Sequence, residues 1–255
     1  MQARVSRYIS SNAVFTSAEL LAACGDTQNN RNQLHNAVKA GRARKARRGL
    51  YASSSGRFEG SRPPCQLVAS KAAPDAVLCH ASAFSLFVGS QDVLSEAPFY
   101  TAASMKAFAF DGVRFVAYPM PASAVETRAY RLAGGEVVVG TTREQTVADS
   151  LASVARAGGA EAIMRRLSAV RYLDAEKAMR MVAARGPSAC ARLGWVLERK
   201  AGEWDVPNAV LARLAREVKG GPYYLGPAGA RGDFDGRWRL YLPETSETVE
   251  GWLDG

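Results

Sequence analysis

A run of amide and basic side chains between Gln28 and Lys39 is where residue types and spacing in this 255-residue chain first point to chemistry. At about 100° per residue on a helix, Gln28, Asn29, Asn32, Asn36 and Lys39 fall on one face, with Gln33 and His35 at its edges. Leu34, Ala37 and Val38 fall on the opposite face. Amides of this kind pair bidentately with adenine in the DNA major groove, and guanidinium groups pair with guanine. Arg31, near the helix start, is placed to reach a phosphate or a guanine, and His35 suits packing or a phosphate as well as a base. A polar face can simply be solvated. Asn is a poor helix former, however, so a face built on Asn29, Asn32 and Asn36 favours a reading role on propensity grounds.

Directly afterwards comes Arg42-Ala43-Arg44-Lys45-Ala46-Arg47-Arg48-Gly49-Leu50-Tyr51. Gly49 before Leu50 and Tyr51 reads as a tight turn into a returning strand, hence a β-hairpin. Its cations Arg42, Arg44, Lys45, Arg47 and Arg48 suit phosphate oxygens, which they hold with release of counterions and without reading sequence. If about four of them each neutralise a phosphate, log K falls with log salt at a slope of about −3.6.

The elements that must position these groups are local. Val5, Tyr8 and Ile9 mark one face of a first short helix. Thr16-Ser17-Ala18-Glu19 is a capping box that opens a second helix through Leu20 and Leu21, stopped by Gly25. Asp26 or Thr27 caps the third, which runs to about Ala40 and closes at Gly41. Three short helices and a basic hairpin over 1–55 predict a winged helix-turn-helix. The Ser-, Gly- and Pro-rich stretch 56–64 reads as a linker.

Charge placement agrees with this division. Residues 1–62 hold eleven basic and three acidic side chains, so they carry +8 of the chain's net +9. Such asymmetry suggests that one part meets a polyanion. The composition, 47% hydrophobic, is that of a globular protein and argues against disorder or collagen. Cys24, Cys65, Cys79 and Cys190 form no C-x-x-C pair, no secretory leader is evident, and no apolar run nears the roughly 18 residues of a membrane span, so a reduced, cytoplasmic protein without membrane contact is expected.

From 65 to 255 the pattern predicts a second, mixed α/β domain, with α/β character to about 140 and mainly helix over 141–220. Helices are expected near Leu67–Lys71 and Ala81–Val88, and strands at Val113–Tyr118 and Val137–Val139. Thr141-Thr142-Arg143-Glu144 reads as a second capping box opening a helix to about Ala157, ended by Gly158-Gly159. Further helices are expected near 160–168, 174–185 with Asp174 as cap, 188–200 after Pro187, and 208–218. Arg237 to Leu242 alternates like a strand.

Enzyme signatures are weak, and no enzyme, cofactor or metal is expected. His35 and His80 are the chain's two histidines, so zinc sites and histidine-based triads lose most of their support. Glu198-Arg199-Lys200 has the E-x-K spacing of one nuclease class, but it falls late in a helix, and Asp233 and Asp235 lie in a Gly-rich tail. The pairs Gly134-Gly135, Gly158-Gly159 and Gly220-Gly221 sit at boundaries, as turns require, and make no phosphate cradle.

The run Val14-Phe15-Thr16-Ser17-Ala18-Glu19-Leu20-Leu21, then Leu34 to Gly41 and the wing ending Arg47-Arg48-Gly49-Leu50-Tyr51, resembles the winged helix of AbiEi-type antitoxins of bacterial type IV toxin-antitoxin systems. Thr142-Arg143-Glu144-Gln145-Thr146-Val147-Ala148-Asp149 and Ala191-Arg192-Leu193-Gly194-Trp195-Val196-Leu197-Glu198 are similar to two helical segments of that family, in the same order. Around Ser82 to Met105 the likeness fades. The resemblance implies a bifunctional protein. The winged helix would bind double-stranded operator DNA, inverted repeats in its own promoter, and repress the operon. The C-terminal domain would counteract a nucleotidyltransferase-type toxin, generally without a stable complex. The alternatives are a plain winged-helix regulator whose C-terminal domain senses a ligand or dimerises and, behind it, a DNA nuclease.

Overall fold

A computed structural model describes residues 2–88, 94–229 and 232–255; the region 82–105, where the resemblance fades, is thus described except for 89–93. In chain order the elements are α1 (Gln2–Ser11), β1 (Val14–Thr16), α2 (Ser17–Cys24), α3 (Gln28–Lys39), β2 (Ala43–Arg47), β3 (Leu50–Ser53), α4 (Cys65–Ser70), β4 (Val77–Leu78), α5 (His80–Phe87), β5 (Glu96–Thr101), β6 (Phe108–Phe110), β7 (Val113–Pro119), β8 (Thr127–Arg131) and β9 (Val137–Thr141). They continue with α6 (Arg143–Ala152), α7 (Ala160–Ser168), α8 (Ala175–Ala183), α9 (Pro187–Arg199), α10 (Asn208–Glu217), β10 (Tyr223–Tyr224), β11 (Phe234–Asp235), β12 (Leu240–Tyr241) and α11 (Ser246–Asp254). The described residues thus form a mixed α/β protein of eleven α-helices and three sheets. Among them no helix is long and apolar enough to cross a membrane.

The chain divides into two units. The first gathers described residues of 1–78, 93–122 and 129–139, the second those of 79–92, 123–128 and 140–255. Residues 56–64, expected to be a linker, lie inside the first unit and include a 3-10 turn at Gly56–Phe58.

In the first unit the short helices form where caps and apolar spacing demand them. Thr16 makes both halves of its box: its Oγ1 accepts from Glu19 N–H at 3.1 Å, and its own N–H donates to the Glu19 carboxylate at 2.7 Å. Gly25 ends α2, and Thr27 caps α3 by accepting from Asn30 N–H. Val5, Ile9, Phe15, Leu20, Leu21, Leu34, Ala37 and Ala43 make one core, closed by Tyr8 edge-on to Phe15 and Tyr51 stacked on it. Burying each large apolar side chain contributes roughly 1.5 to 3 kcal/mol, so this face, not intrinsic helix propensity, holds the short helices. β1, absent from the expectation, pairs antiparallel with β3, giving a three-stranded sheet in the order β1-β3-β2.

A six-stranded sheet runs β6-β7-β5-β4-β9-β8. β5 and β7 are parallel and in register from Glu96 opposite Arg114, with Ala97, Phe99 and Phe115 buried. β6 and β7 form a two-residue hairpin in which Phe110 opposes Val113 and the turn residues Asp111 and Gly112 have φ of 51° and 82°. Those are the positive dihedrals of a type I′ turn, which Asp-Gly adopts readily.

The second unit is mainly helical. Val147, Leu151, Ile163, Met179, Leu193, Trp195, Val210 and Trp238 lie in one buried core. α7 to α10 match the expected helices to within a few residues, with Asp174 accepting from Lys177 N–H at 2.9 Å as the cap of α8. Two local expectations fail for non-local reasons. The box at Thr141 is not made: Thr142 is the N-cap of α6, and the Glu144 carboxylate accepts from Asp174 N–H instead of turning back. α6 stops at Ala152, not Ala157, because the Arg192 guanidinium donates to the carbonyls of Leu151 and Ala152, at 2.8 and 3.4 Å, which a longer helix would use itself. The strand expected over Arg237–Leu242 shrinks to β12, since Arg239 is left-handed and Trp238 N–H is taken by the Asp235 carboxylate.

Candidate nucleic-acid interface

α3 separates its side chains by face. Leu34 and Ala37 are buried, as is Asn30, whose amide donates to the carbonyls of Cys24 and Gly25 at 3.1 and 2.8 Å and so fixes the turn between α2 and α3. Gln28, Asn29, Arg31, Asn32, His35, Asn36 and Lys39 are all exposed, and helical geometry puts them within an arc of about 160°. Gln28 donates its amide to Asn32 Oδ1 at 3.0 Å, which aligns the two amides. Arg31 forks onto the carboxylate of Asp26 at 2.9 and 2.8 Å.

The hairpin sorts its five cations into two sets, and the cause is one residue. Arg44 opposes Ala52 and Lys45 opposes Tyr51, but Arg47 opposes Leu50, so the register slips across Ala46. Paired residues share a face of a sheet, so this bulge returns Arg47 to the face of Arg44 rather than that of Lys45. Arg42, Lys45 and Arg48 are exposed, and Gly49, at φ 80°, completes the turn beside Arg48.

Arg44 and Arg47 meet the β6–β7 hairpin. Arg44 pairs with the Asp111 carboxylate, donates to Ser54 Oγ at 2.9 Å and to the Ser61 carbonyl at 3.3 Å, and lies over the Phe110 ring. Arg47 lies over the Phe108 ring and donates to the Ala72 carbonyl at 3.3 Å. These partners are remote in sequence from the hairpin, and the local signal for them is Asp111-Gly112 between alternating aromatics, the mark of a second hairpin.

The acidic, basic and histidine side chains outside the hairpin and α3 that could carry other chemistry have internal partners. Glu198 accepts from Trp238 Nε1 at 2.7 Å and pairs with Arg237. Lys200 pairs with Glu203, Asp235 caps Trp238, and Asp233 accepts from Ser246 N–H. His80 is buried, with Nδ1 at 3.3 Å from Ser150 Oγ, and burial together with the charges of Arg156, Arg166 and Arg185 lowers its pKa to about 4. All four cysteines are free, and burial raises Cys79 well above the usual thiol range. Among the described residues no group of three or more His, Cys, Asp or Glu is placed to hold a metal ion.

The segment Arg192 to Glu198 has a packing logic. Arg192 ties down carbonyls, including that of Tyr224 at 2.8 Å, Gly194 leaves the room that the Trp238 ring occupies, and Glu198 receives the indole N–H of that ring.

No family profile matches the chain, and no curated protein matches it in sequence. Among solved structures it is similar to the Rv2827c protein from Mycobacterium tuberculosis, with a TM-score of 0.66 and 16% identity over 97% of this chain and 93% of that one, a likeness that shows a shared fold.

Proposed function

We propose that the chain is a double-stranded DNA-binding autorepressor whose reading element is a winged helix-turn-helix, and that it acts as the antitoxin of a type IV toxin-antitoxin system. One observation carries the DNA reading. An exposed amide face on α3 adjoins a hairpin whose Arg42, Lys45 and Arg48 have no internal side-chain partner among the described residues. α3 enters the major groove, offering Gln28, Asn29, Asn32 and Asn36 to base edges, while α2 crosses the backbone and the β2–β3 wing holds phosphates. Arg44 and Arg47 hold the wing to its hairpin support. With three outward cations the wing's salt slope is about −2.7.

The antitoxin half of the reading rests on the resemblance to AbiEi-type proteins. Its two later segments fall on α6 and α9, and Val147, Ala148 and Leu151 share a core with Leu193, Trp195 and Val196. They support a shared scaffold, on which the second unit counteracts a nucleotidyltransferase-type toxin without a stable complex. The test uses the full-length protein. It should retard duplex from its own upstream region at low salt and lose it steeply as salt rises, and it should rescue growth of cells expressing a neighbouring nucleotidyltransferase. Retardation without rescue would leave a plain regulator, and failure to retard duplex at 50 mM salt would overturn the DNA reading.

A further inference from the structure

We propose that a groove between α1 and the root of the wing is a phosphate-binding site whose cations are Arg7 and Arg42. The groove, about 260 Å³, is lined by Ser6, Arg7, Ile9, Ser10, Arg42 and Ser55. Arg7 comes from the exposed side of α1, and Arg42 immediately precedes β2, the strand that follows α3. Both guanidinium groups are exposed, and neither has an ion-pair or hydrogen-bond partner among the described residues. No carboxylate lines the groove with them. Two like charges lining one recess repel each other, and an anion bound in that recess offsets the repulsion and adds two attractions.

The donor set selects the anion. Guanidinium forks match the oxygens of a phosphate bidentately. Ser6 and Ser55 add hydroxyl groups to the lining, the Ser55 Oγ lying 3.4 Å from Ser53 Oγ, whereas Ser10 Oγ donates to the Arg7 carbonyl at 3.0 Å and offers lone pairs alone. Ile9 supplies an apolar floor, which strengthens the electrostatics above it. The volume lies below the roughly 300 Å³ at which pockets begin to enclose drug-sized ligands, so the groove takes one phosphate group and not a whole cofactor. That phosphate is either part of the backbone of bound duplex, which rests on the DNA reading above, or a free phosphoanion, which does not.

Two measurements on the full-length protein separate these sources. In the first, Arg7→Gln and Arg42→Gln are titrated with random duplex between 50 and 200 mM salt. In the second, inorganic phosphate alone is titrated while NMR follows the Ser55 amide and the Arg7 Nε–H, against chloride at equal ionic strength. For a backbone phosphate, each substitution makes the slope shallower by about 0.9, which is a three- to fourfold change across that salt range, on specific and random duplex alike. For a free phosphoanion, phosphate produces saturable shifts that disappear in Arg7→Gln, and the duplex slope of Arg7→Gln stays that of the wild type, Arg42 being already counted among the cations of the hairpin. If Arg7→Gln keeps the wild-type slope and phosphate acts no differently from chloride, the groove is not a phosphate site. Should wild-type protein fail to bind duplex, the DNA reading falls and the phosphate titration alone decides the groove.

Discussion

The Arg44 guanidinium is paired with the Asp111 carboxylate, 67 residues further along the chain, and lies over the neighbouring Phe110 ring. A cation at the heart of a basic hairpin is thereby committed to its own protein. The I′ turn presents Asp111, and the slip across Ala46 aligns Arg47 with Phe108 in the same way. Net charge counts these arginines toward a polyanion, whereas the fold commits them to holding the β2–β3 hairpin.

The two sets of cations should separate in mutants. Arg44→Gln is expected to lower stability by on the order of 1 kcal/mol, because the pair is only partly buried, and to leave the salt slope of duplex binding unchanged. Arg48→Gln should leave the melting temperature alone and make the slope shallower by about one. A double-mutant cycle of Arg44→Gln with Asp111→Asn, read by denaturant melts and anisotropy titrations, checks both. An equal slope change in Arg44→Gln and Arg48→Gln would return Arg44 to the phosphate contacts.

Asn32 tests reading as distinct from holding. Asn32→Ala should weaken binding by roughly 1 to 3 kcal/mol at the preferred duplex and hardly at all on random sequence. Competition between the operator and random duplex measures that difference directly. A uniform loss on both would demote the amide face to a phosphate contact.

What was legible in the sequence was local. Thr16 with Glu19, Thr27 as one of the two caps expected for α3, and Asp174 each mark a helix start through groups within four residues, and Pro187 is the first residue of the helix expected to follow it. The exposed amide face of α3 was equally readable, since 3.6-residue periodicity sets it. The division of the basic hairpin's cations was not, because it depends on an extra residue at Ala46 and on a second hairpin remote in sequence. α6 ends early for a similar reason: Arg192, 40 residues away, takes the Ala152 carbonyl. The short strands β4, β10 and β11, two residues each, carry no periodicity to read.

Gly194 should be intolerant of any side chain. A Cβ there would run into the six-membered ring of Trp238, which is fully buried and held through its indole N–H by Glu198. Gly194→Ala is expected to cost about 1 to 3 kcal/mol through overpacking, despite the better helix propensity of Ala. Chemical denaturation reads the loss. Trp238→Leu, which frees the space, should recover part of it in the double variant, whereas simple additivity would show that the two residues do not meet.

His80 makes stability depend on pH with a definite sign. In the folded protein its pKa is lowered to about 4, by burial first and then by Arg156, Arg166 and Arg185, from an ordinary value of 6.5. Below 6.5 the unfolded chain takes up a proton that the folded one refuses, so the contribution is present above that pH and is lost as pH falls from 6.5 toward 4. The whole window is worth about 3 kcal/mol. His80 also sits at φ 45°, a left-handed conformation that Asn tolerates better than most residues, which makes His80→Asn the informative substitution. Melting temperatures measured from pH 7 to pH 4.5 should fall more steeply for the wild-type protein than for His80→Asn. Parallel curves would mean that His80 is protonated in the folded state or that its burial is relieved before the chain unfolds.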